Sequence, residues 1–425
     1  VAVWQIIAGF QGTKNRHADS FDLQAGYRGS GGRNNEEETL SYTLRSVRRL
    51  VLPALAVSLV LGLLSGSAVA KFGKGHQVDV MTRNLYLGAD LAPAIAAKST
   101  KEFVAANGQI LREVTANNFP VRAKGLAREL LKKKPDLVGL QEVALWRTAP
   151  PSLEPLLGSS GPTASTVRYD YLDELLDQLN KGKKRYRVAV VQQEFDFEAP
   201  ADENGIPDDG PNGLIKDAEI NGRLTMRDVI LVRLGAGVVT SHPRKGNFKS
   251  LLTVTVSGVE VKVQRGWTAI DAKVRGSGKF RFVNTHLEAF DDPAQVPSIR
   301  AQQAGELVGK GGPATTKLPV VLLGDLNSDD DTVAAGDRQA YQALVKAGMR
   351  ERSTDEPLSC CLKSSLLAEA AGGSIADFDH QVDHVMTRDP KKVKLIGSAV
   401  TGRKPVNGYW DSDHAGLFSS LFLLR

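Results

Sequence analysis

A chain of 425 residues, 42% hydrophobic and 24% charged, can bury a large core as one big domain or two smaller ones. The formal charge is +6, and residues 71–425 carry 47 Lys and Arg against 43 Asp and Glu, or +4, too even a balance to demand a nucleic-acid or membrane partner. The two cysteines, Cys360 and Cys361, are neighbours, which excludes the disulfide framework of a small secreted domain and makes a poor zinc site; a pair of loop thiols and a vicinal disulfide both stay open.

Residues 1–40 are rich in Gly, Asn and Gln and read as a disordered or untranslated extension, with translation expected to start near Leu40. Residues 41–70 read as a signal peptide. Arg45, Arg48 and Arg49 precede the apolar run from Leu50 to Leu64, and Ala68-Val69-Ala70 offers a cleavage site after Ala70. That run is shorter than the roughly 20 apolar residues of a spanning helix, so the expectation is a secreted protein rather than a membrane-anchored one.

Beyond Lys71 short β-rich runs alternate with amphipathic stretches. Val78–Thr82 predicts a strand, and Ile110–Lys134 predicts a helix that Pro120 should break or kink. Leu137–Leu140 reads as a buried strand, Asp170–Asn180 as a helix and Tyr186–Val191 as a strand. The Asp-, Gly-, Pro- and Asn-rich stretch from Glu198 to Asn221 reads as an insertion loop, placed at the rim of a site. Strands are expected at Val229–Val232, Leu252–Val256, Val259–Val263, Trp267–Val274 and Phe280–Asn284. A helix at Ile299–Val308, a strand at Pro319–Leu323, a helix at Gln339–Lys346 and strands at Val382–Met386 and Leu417–Phe422 complete the order. With no internal repeat and no low-complexity linker, this predicts one α+β or α/β domain over residues 76–425.

The informative polar residues sit at the ends of these buried runs. Val78–Thr82 delivers Arg83-Asn84, Leu137–Leu140 delivers Gln141-Glu142, and Phe280–Val283 delivers Asn284-Thr285-His286-Leu287-Glu288. Pro319–Leu323 delivers Gly324-Asp325-Leu326-Asn327, Val382 leads to Asp383-His384, and Ser412-Asp413-His414 enters the last strand. Strand ends converging on one edge make a rigid concave site. Its carboxylates, carboxamides and imidazoles are hard oxygen donors suited to Mg²⁺, acid–base groups active near neutral pH, and amides that bind phosphoryl oxygens without adding charge. Taken singly, each motif reads equally as a cap, a turn or a core histidine; their joint order beside buried strands is what points to water attack on phosphorus.

The ordered set Thr82-Arg83-Asn84, Gln141-Glu142-Val143, Asn284-Thr285-His286-Leu287, Gly324-Asp325-Leu326-Asn327-Ser328, Val382-Asp383-His384-Val385 and Ser412-Asp413-His414 resembles the endonuclease/exonuclease/phosphatase superfamily over nearly all of residues 77–425. The resemblance implies a four-layer α/β sandwich, two mainly antiparallel β-sheets face to face with helices outside, and a divalent-metal site for Mg²⁺, or Mn²⁺ or Ca²⁺ in its place. It implies metal ligation by Glu142 with Asn84 and Asp413 nearby, and catalytic roles for His286, Asp325, Asn327, Asp383 and His414. Asp228 is expected to be structural, His384 and His380 to be solvated strand-end histidines, and Glu288 to pair with His286 or face solvent. Trp146 and Trp410 could stack on a base or pack in the core.

The expected function is a secreted phosphodiesterase, with nucleic acid preferred over phospholipid as substrate because Lys132-Lys133-Lys134 and Lys181–Arg187 are basic. The expected state is a monomer without a stable protein partner. A sphingomyelinase-like or inositol-phosphate phosphatase activity is the enzymatic alternative, although no convincing aromatic membrane hairpin is present. A non-catalytic binding module is the alternative from another class.

Overall fold

The computed structural model describes residues 74–207, 210, 215–256, 258–276, 278–290, 295–329, 338–353, 358–368 and 373–425. The extension at 1–40 and the signal peptide at 41–70 lie outside the described residues. Residues from Phe72 to Arg425 form one compact unit.

Alternation along the strands dictates the layers, because successive side chains leave a strand on opposite faces. The first sheet runs in the order β15 (Val393–Thr401), β16 (Gly416–Leu424), β1 (Gly75–Asn84), β2 (Leu137–Gln141), β6 (Ile220–Arg233), β3 (Leu145–Ala149) and β4 (Thr166–Asp170), with β5 (Tyr186–Ala201) also paired to β6. The second runs β13 (Arg350–Glu351), β14 (Asp383–Arg388), β12 (Val320–Asp325), β11 (Lys279–His286), β10 (Gly266–Val274) and β7 (Val238–Asn247). Among the described residues only the β1–β2 and β11–β12 pairs are parallel. The expected mainly antiparallel character is borne out.

Val78 and Val80 of β1 and Ile230 and Val232 of β6 meet Phe280, Phe282, Val321 and Leu323 of the other sheet, which is the core between the two layers. The alternate residues Met81, Val138, Leu140 and Leu231 face outward onto three helices, α2 (Thr100–Ala116), α3 (Phe119–Lys133) and α4 (Tyr171–Asn180). On the far side Val283, Val320 and Leu322 pack under α5 (Ile299–Val308) and α6 (Gln339–Lys346). Helix, sheet, sheet, helix is the four-layer sandwich expected.

Differences from the expected elements have local causes. The helix expected over 110–134 is two helices: α2 starts earlier, with Ser99 accepting the Glu102 N–H, and the chain breaks at Asn117–Asn118, where Asn118 has φ 39° and Pro120 enters the first turn of α3. A proline is tolerated there because first-turn N–H groups lack helical partners anyway. Among the described residues the expected insertion loop is strand only at its two ends, 198–201 and 220–221, where β5 and β6 pair. Just beyond β5 the chain packs on α2, with Asp202 N–H donating to Val104 O at 3.2 Å and Arg112 to Asp202 O at 2.7 Å. A short helix, α1 (Ala92–Ala96), and strands β3, β4, β7 and β15 had no sequence signal strong enough to be expected. Strands β8 (Leu252–Val256) and β9 (Val259–Val263) pair only with each other.

Arg122 of α3, fully buried, holds the loops that emerge at one edge. Its guanidinium donates to the carbonyls of Asn117 (2.8 Å), Leu85 (2.8 Å), Asp411 (3.0 Å) and Tyr86 (3.2 Å), and it lies beside the stacked rings of Phe119 and Tyr171. An apolar replacement strands several buried carbonyls, each costing about 1–3 kcal/mol. We therefore expect Arg122→Met to lower unfolding free energy by about 3–5 kcal/mol in urea titrations; a midpoint equal to wild type would show that the guanidinium is not a structural tie.

Candidate active site

Strand register brings the motif residues to one edge. Asn84 lies opposite Gln141, His286 opposite Asp325, and Asp325 opposite Asp383. Beneath them Gln141 donates to Asn284 Oδ1 at 2.5 Å, and Asn284 donates to Leu140 O at 3.1 Å, so the two sheets are bridged by buried amides just below the site. Gly324 has φ +149°, and a side chain there would strike Thr285 O, which is why a glycine precedes Asp325. Glu142 and Asn327, each the turn residue that aims its group inward, hold positive φ of 51° and 46°.

Asp325 is the hub. Its Oδ2 accepts the Asn84 amide at 3.0 Å and lies 3.5 Å from His286 Nε2 and 3.7 Å from His414 Nε2; its Oδ1 accepts the Asn327 N–H at 2.9 Å. His414 Nδ1 bonds Asp383 Oδ2 at 2.8 Å. Asn327 donates its own amide to Leu287 O at 3.0 Å. Glu142 accepts the Leu87 N–H at 2.7 Å, and Asp413 lies within its electrostatic field and accepts from Ser412 Oγ at 3.3 Å. Asn84 thus stands between the two groups, its amide nitrogen on Asp325 and its oxygen on the Tyr86 N–H at 2.8 Å.

Burial and crowded charge set the proton affinities. Burial pushes Asp325 up to about 6 and Asp413 to about 7, with other carboxylates adding to the rise and His414 opposing it. Burial disfavours charge on His414 too, but Asp383, Asp413 and Asp325 outweigh it and hold the imidazole well above its usual value. His286 goes the other way: burial, then Arg265 and His414, keep it neutral. With Arg265 donating to Nδ1 at 3.1 Å, the His286 ring proton is assigned to Nε2, facing Asp325.

A second buried group adjoins the first and was largely missed from sequence. Glu194, Asp228 and His286 offer ligand atoms within 4.8 Å of one another, and burial raises Glu194 to about 8 and Asp228 well above its usual range, as for two carboxyls sharing a proton. Asp228 is therefore part of the site's lining rather than a remote structural residue. Glu288 neither faces solvent nor meets His286; it is buried 3.6 Å from Arg265. Glu194 had one available signal, a charged residue at an inward position of a strand, β5; Arg265 lies in the short connection between β9 and β10 and had none.

His384 is not solvated: it is buried, with Nδ1 2.7 Å from Glu351 and Nε2 2.8 Å from Ser328 O, so it locks β14 to its neighbours. His380 is exposed beside Asp379. Trp146 and Trp410 are both buried, Trp146 donating to Leu87 O at 2.9 Å and Trp410 packing edge-on against Phe378. Cys360 and Cys361 are joined to each other, with their sulfurs 3.6 and 3.8 Å from His414 Nε2. The two basic stretches lie elsewhere. Lys132–Lys134 precede the start of β2 and Lys181–Arg187 lead into β5, whose Tyr186 pairs with Arg233, whereas Glu142 follows the other end of β2. They do not track a substrate into the site.

A sequence model described as the Endonuclease/Exonuclease/phosphatase family matches residues 106–414, most of the chain and five of the six motifs. The chain belongs to this family. It is accordingly a phosphoester hydrolase, of a family that works with divalent metal. Among solved structures, an endonuclease/exonuclease/phosphatase family protein from Bacteroides thetaiotaomicron is 15% identical, over 83% of this chain and 100% of that one, with TM-score 0.46. TDP2 from D. rerio, complexed with a single-strand DNA product, is 15% identical over 81% and 98%, with TM-score 0.44. A mannosyl-6-phosphatase from B. thetaiotaomicron is 16% identical over 81% and 99%, with TM-score 0.42. These are likenesses of fold. No curated protein matches the chain.

The proton affinities carry a stability consequence. Asp325, Asp413, Glu194 and His414 all bind protons more tightly folded than unfolded, so their contribution is full below the unfolded values and is lost as pH rises through the folded ones. His286, with its affinity depressed, contributes fully above its unfolded value of 6.5 and adds no slope there. In EDTA, urea midpoints should therefore fall from pH 7 to pH 9, and added Mg²⁺ should restore more at pH 9 than at pH 7. A midpoint flat across that range would contradict the assigned crowding.

Proposed function

We propose that this edge hydrolyses phosphate esters by direct in-line attack of water, with a divalent cation and no covalent intermediate. The observation that carries the reading is buried Asp325 Oδ2, within 4 Å of both His286 and His414 and hydrogen-bonded by Asn84, on an edge that also holds the half-buried Glu142 and Asp413.

The donor set fits a hard cation: Glu142, Asp413 and the Asn84 side chain offer oxygens, and burial, then the charges of Glu142 and Asp325, raise the affinity of Asp413 for a proton, which a cation would offset. Bound there, Mg²⁺, or Mn²⁺ or Ca²⁺, would polarise the phosphoryl oxygens and offset the charge that builds on them. The remaining work falls to side chains. Asp325, with an affinity near neutrality, and Asn327 orient the attacking water, and Asp325 takes its proton as the oxygen bonds to phosphorus. His414, charged and fixed by Asp383 through Nδ1, faces the phosphate with Nε2 and supplies a proton to the departing oxygen as its bond to phosphorus breaks. His286 is neutral, so it serves as an N–H donor to phosphate rather than as the acid.

Secretion is part of the proposal on the strength of residues 41–70 alone, and N-terminal sequencing of exported protein should begin at Lys71. The substrate preference for nucleic acid loses its sequence argument once the basic stretches are seen at the other end of the strands. Release of nitrophenol from bis-p-nitrophenyl phosphate tests the chemistry. EDTA should abolish it and Mg²⁺ restore it, while Glu142→Ala and His414→Ala should each lower kcat/KM by about 10²–10⁴-fold. Activity indifferent to chelation, or intact in both variants, would reject the mechanism.

A further inference from the structure

Behind the polar edge lies a cavity of about 650 Å³ whose lining includes Glu142, Asp413 and Arg265 together with a large apolar wall. The wall comes from α1 and α2 on one side, the outer face of β5 and β6 on another, and the β8–β9 hairpin on a third, with Phe103, Ile110, Phe195, Phe197, Leu224 and Val261 among its residues. The volume lies within the roughly 300–1,000 Å³ of small-molecule sites and is several times the ~150 Å³ of a dry engineered void. Close-packed interiors do not keep such a space without use.

The hairpin shows that the space is built. In Leu252–Val256 and Val259–Val263, Thr253, Thr255, Glu260 and Lys262 are exposed, while Val254, Val256, Val261 and Val263 line the cavity. Among the described residues this two-stranded ribbon pairs with neither main sheet; its apolar face places Val256 and Val261 in the helix-side core, contacts α1 and borders the cavity. Asp90, Lys363 and Ser364 join Glu142, Asp413 and Arg265 as polar members of the lining, but the walls of α2, β5, β6 and the hairpin present one polar side chain, Asn107, whose amide already donates to Pro200 O at 3.1 Å. A nucleobase or sugar placed there would lose its hydrogen bonds to water without replacement. A hydrocarbon chain would lose nothing and gain its transfer free energy.

We infer that the substrate is a phosphate ester bearing one flexible apolar chain, with the phosphate at Glu142, Asp413 and His414 and the chain in this cavity. The inference rests on the phosphoesterase reading and names its substrate class. It also sets the mode of attack: the chain is taken into the protein as a monomer, not at a lipid surface.

A series of alkyl p-nitrophenyl phosphates from methyl to dodecyl, assayed with Mg²⁺ below their critical micelle concentrations, tests this on the whole protein. kcat/KM should rise by up to about fourfold per methylene until the cavity is filled, and presenting the dodecyl ester in phosphatidylcholine vesicles should slow it. Val254→Trp, on the inner face of the hairpin, should collapse the octyl-to-methyl ratio at least tenfold. Calorimetric titration with octyl against methyl phosphate gives a second measurement should that variant not fold; octyl phosphate should bind at least tenfold more tightly. Methyl ester turnover with no gain along the series, or equal binding of the two phosphates, overturns the chain site and leaves the phosphoesterase reading standing. Turnover that requires vesicles overturns the monomer mode. Absence of hydrolysis throughout the series overturns the reading itself, and the inference with it.

Discussion

Arg122 is the tie on which the reactive edge depends. Three segments that the sandwich alone would leave loose converge on its guanidinium: the loop after β1 at Leu85 and Tyr86, the α2–α3 turn at Asn117, and Asp411 ahead of His414. Two of these carry Asn84 and Asp413-His414. A loop end without water must find other partners for its carbonyls, and a planar cation with donors on every edge meets several of them at once. Lys could not, because its donors radiate from one atom. The chain break at Asn117–Asn118 belongs to the same device, since it turns α3 so that Arg122 points under the loops while Asn117 caps their backbone at Gly88 O and Ser364 O.

That rigidity permits an arrangement otherwise expensive to hold, several carboxyls in a dry edge. Pairing is uneven, and the unevenness carries the chemistry. Asp383 is committed to His414, which leaves His414 charged; Arg265 sits against Glu288 and His286, which leaves His286 neutral. Two imidazoles within 4 Å of one carboxylate oxygen are thus driven in opposite directions, His286 down by burial and then Arg265, His414 up by the carboxylates around it. Burial raises the proton affinities of Glu194 and Asp228, the Glu194 charge adding to the rise at Asp228, and so limits the negative charge they add at the rear of the site.

Much of this was legible in sequence because the relevant signals are local. Buried strands such as Val320–Asp325 are continuous apolar runs, and the residue at the end of each is read directly. Helix α6 is legible by spacing alone. What failed were features whose meaning is set by distant partners. His384 looks like any strand-end histidine until Glu351, 33 residues away, is placed against it. Glu194 puts a carboxyl where alternation along β5 asks for an apolar residue, and Arg265 enters from the β9–β10 connection, so neither shows its partners in the sequence. The strands at Val238–Asn247 and Val393–Thr401 are edge or near-edge strands, half-exposed and polar, so they lack the hydrophobic pattern that marks a strand. Basic runs misled in the opposite sense, because charge in sequence says nothing of which end of a strand it occupies.

The same limit governs the substrate. The pattern of residues 252–263 reveals a strand pair with one apolar face, but periodicity cannot say what that face covers. In the fold it faces the outer side of β5 and β6 across a space that opens on Glu142 and Asp413. The family's polar residues act on a phosphoryl group and are indifferent to what the ester carries, so they cannot choose between a nucleotide and an alkyl chain. Selection has to come from surfaces next to the phosphate, where a wall without hydrogen-bonding groups penalises polar substituents and rewards methylenes. A hydrolase with this catalytic edge and this wall therefore discriminates by the solubility of the ester group rather than by its hydrogen-bonding pattern.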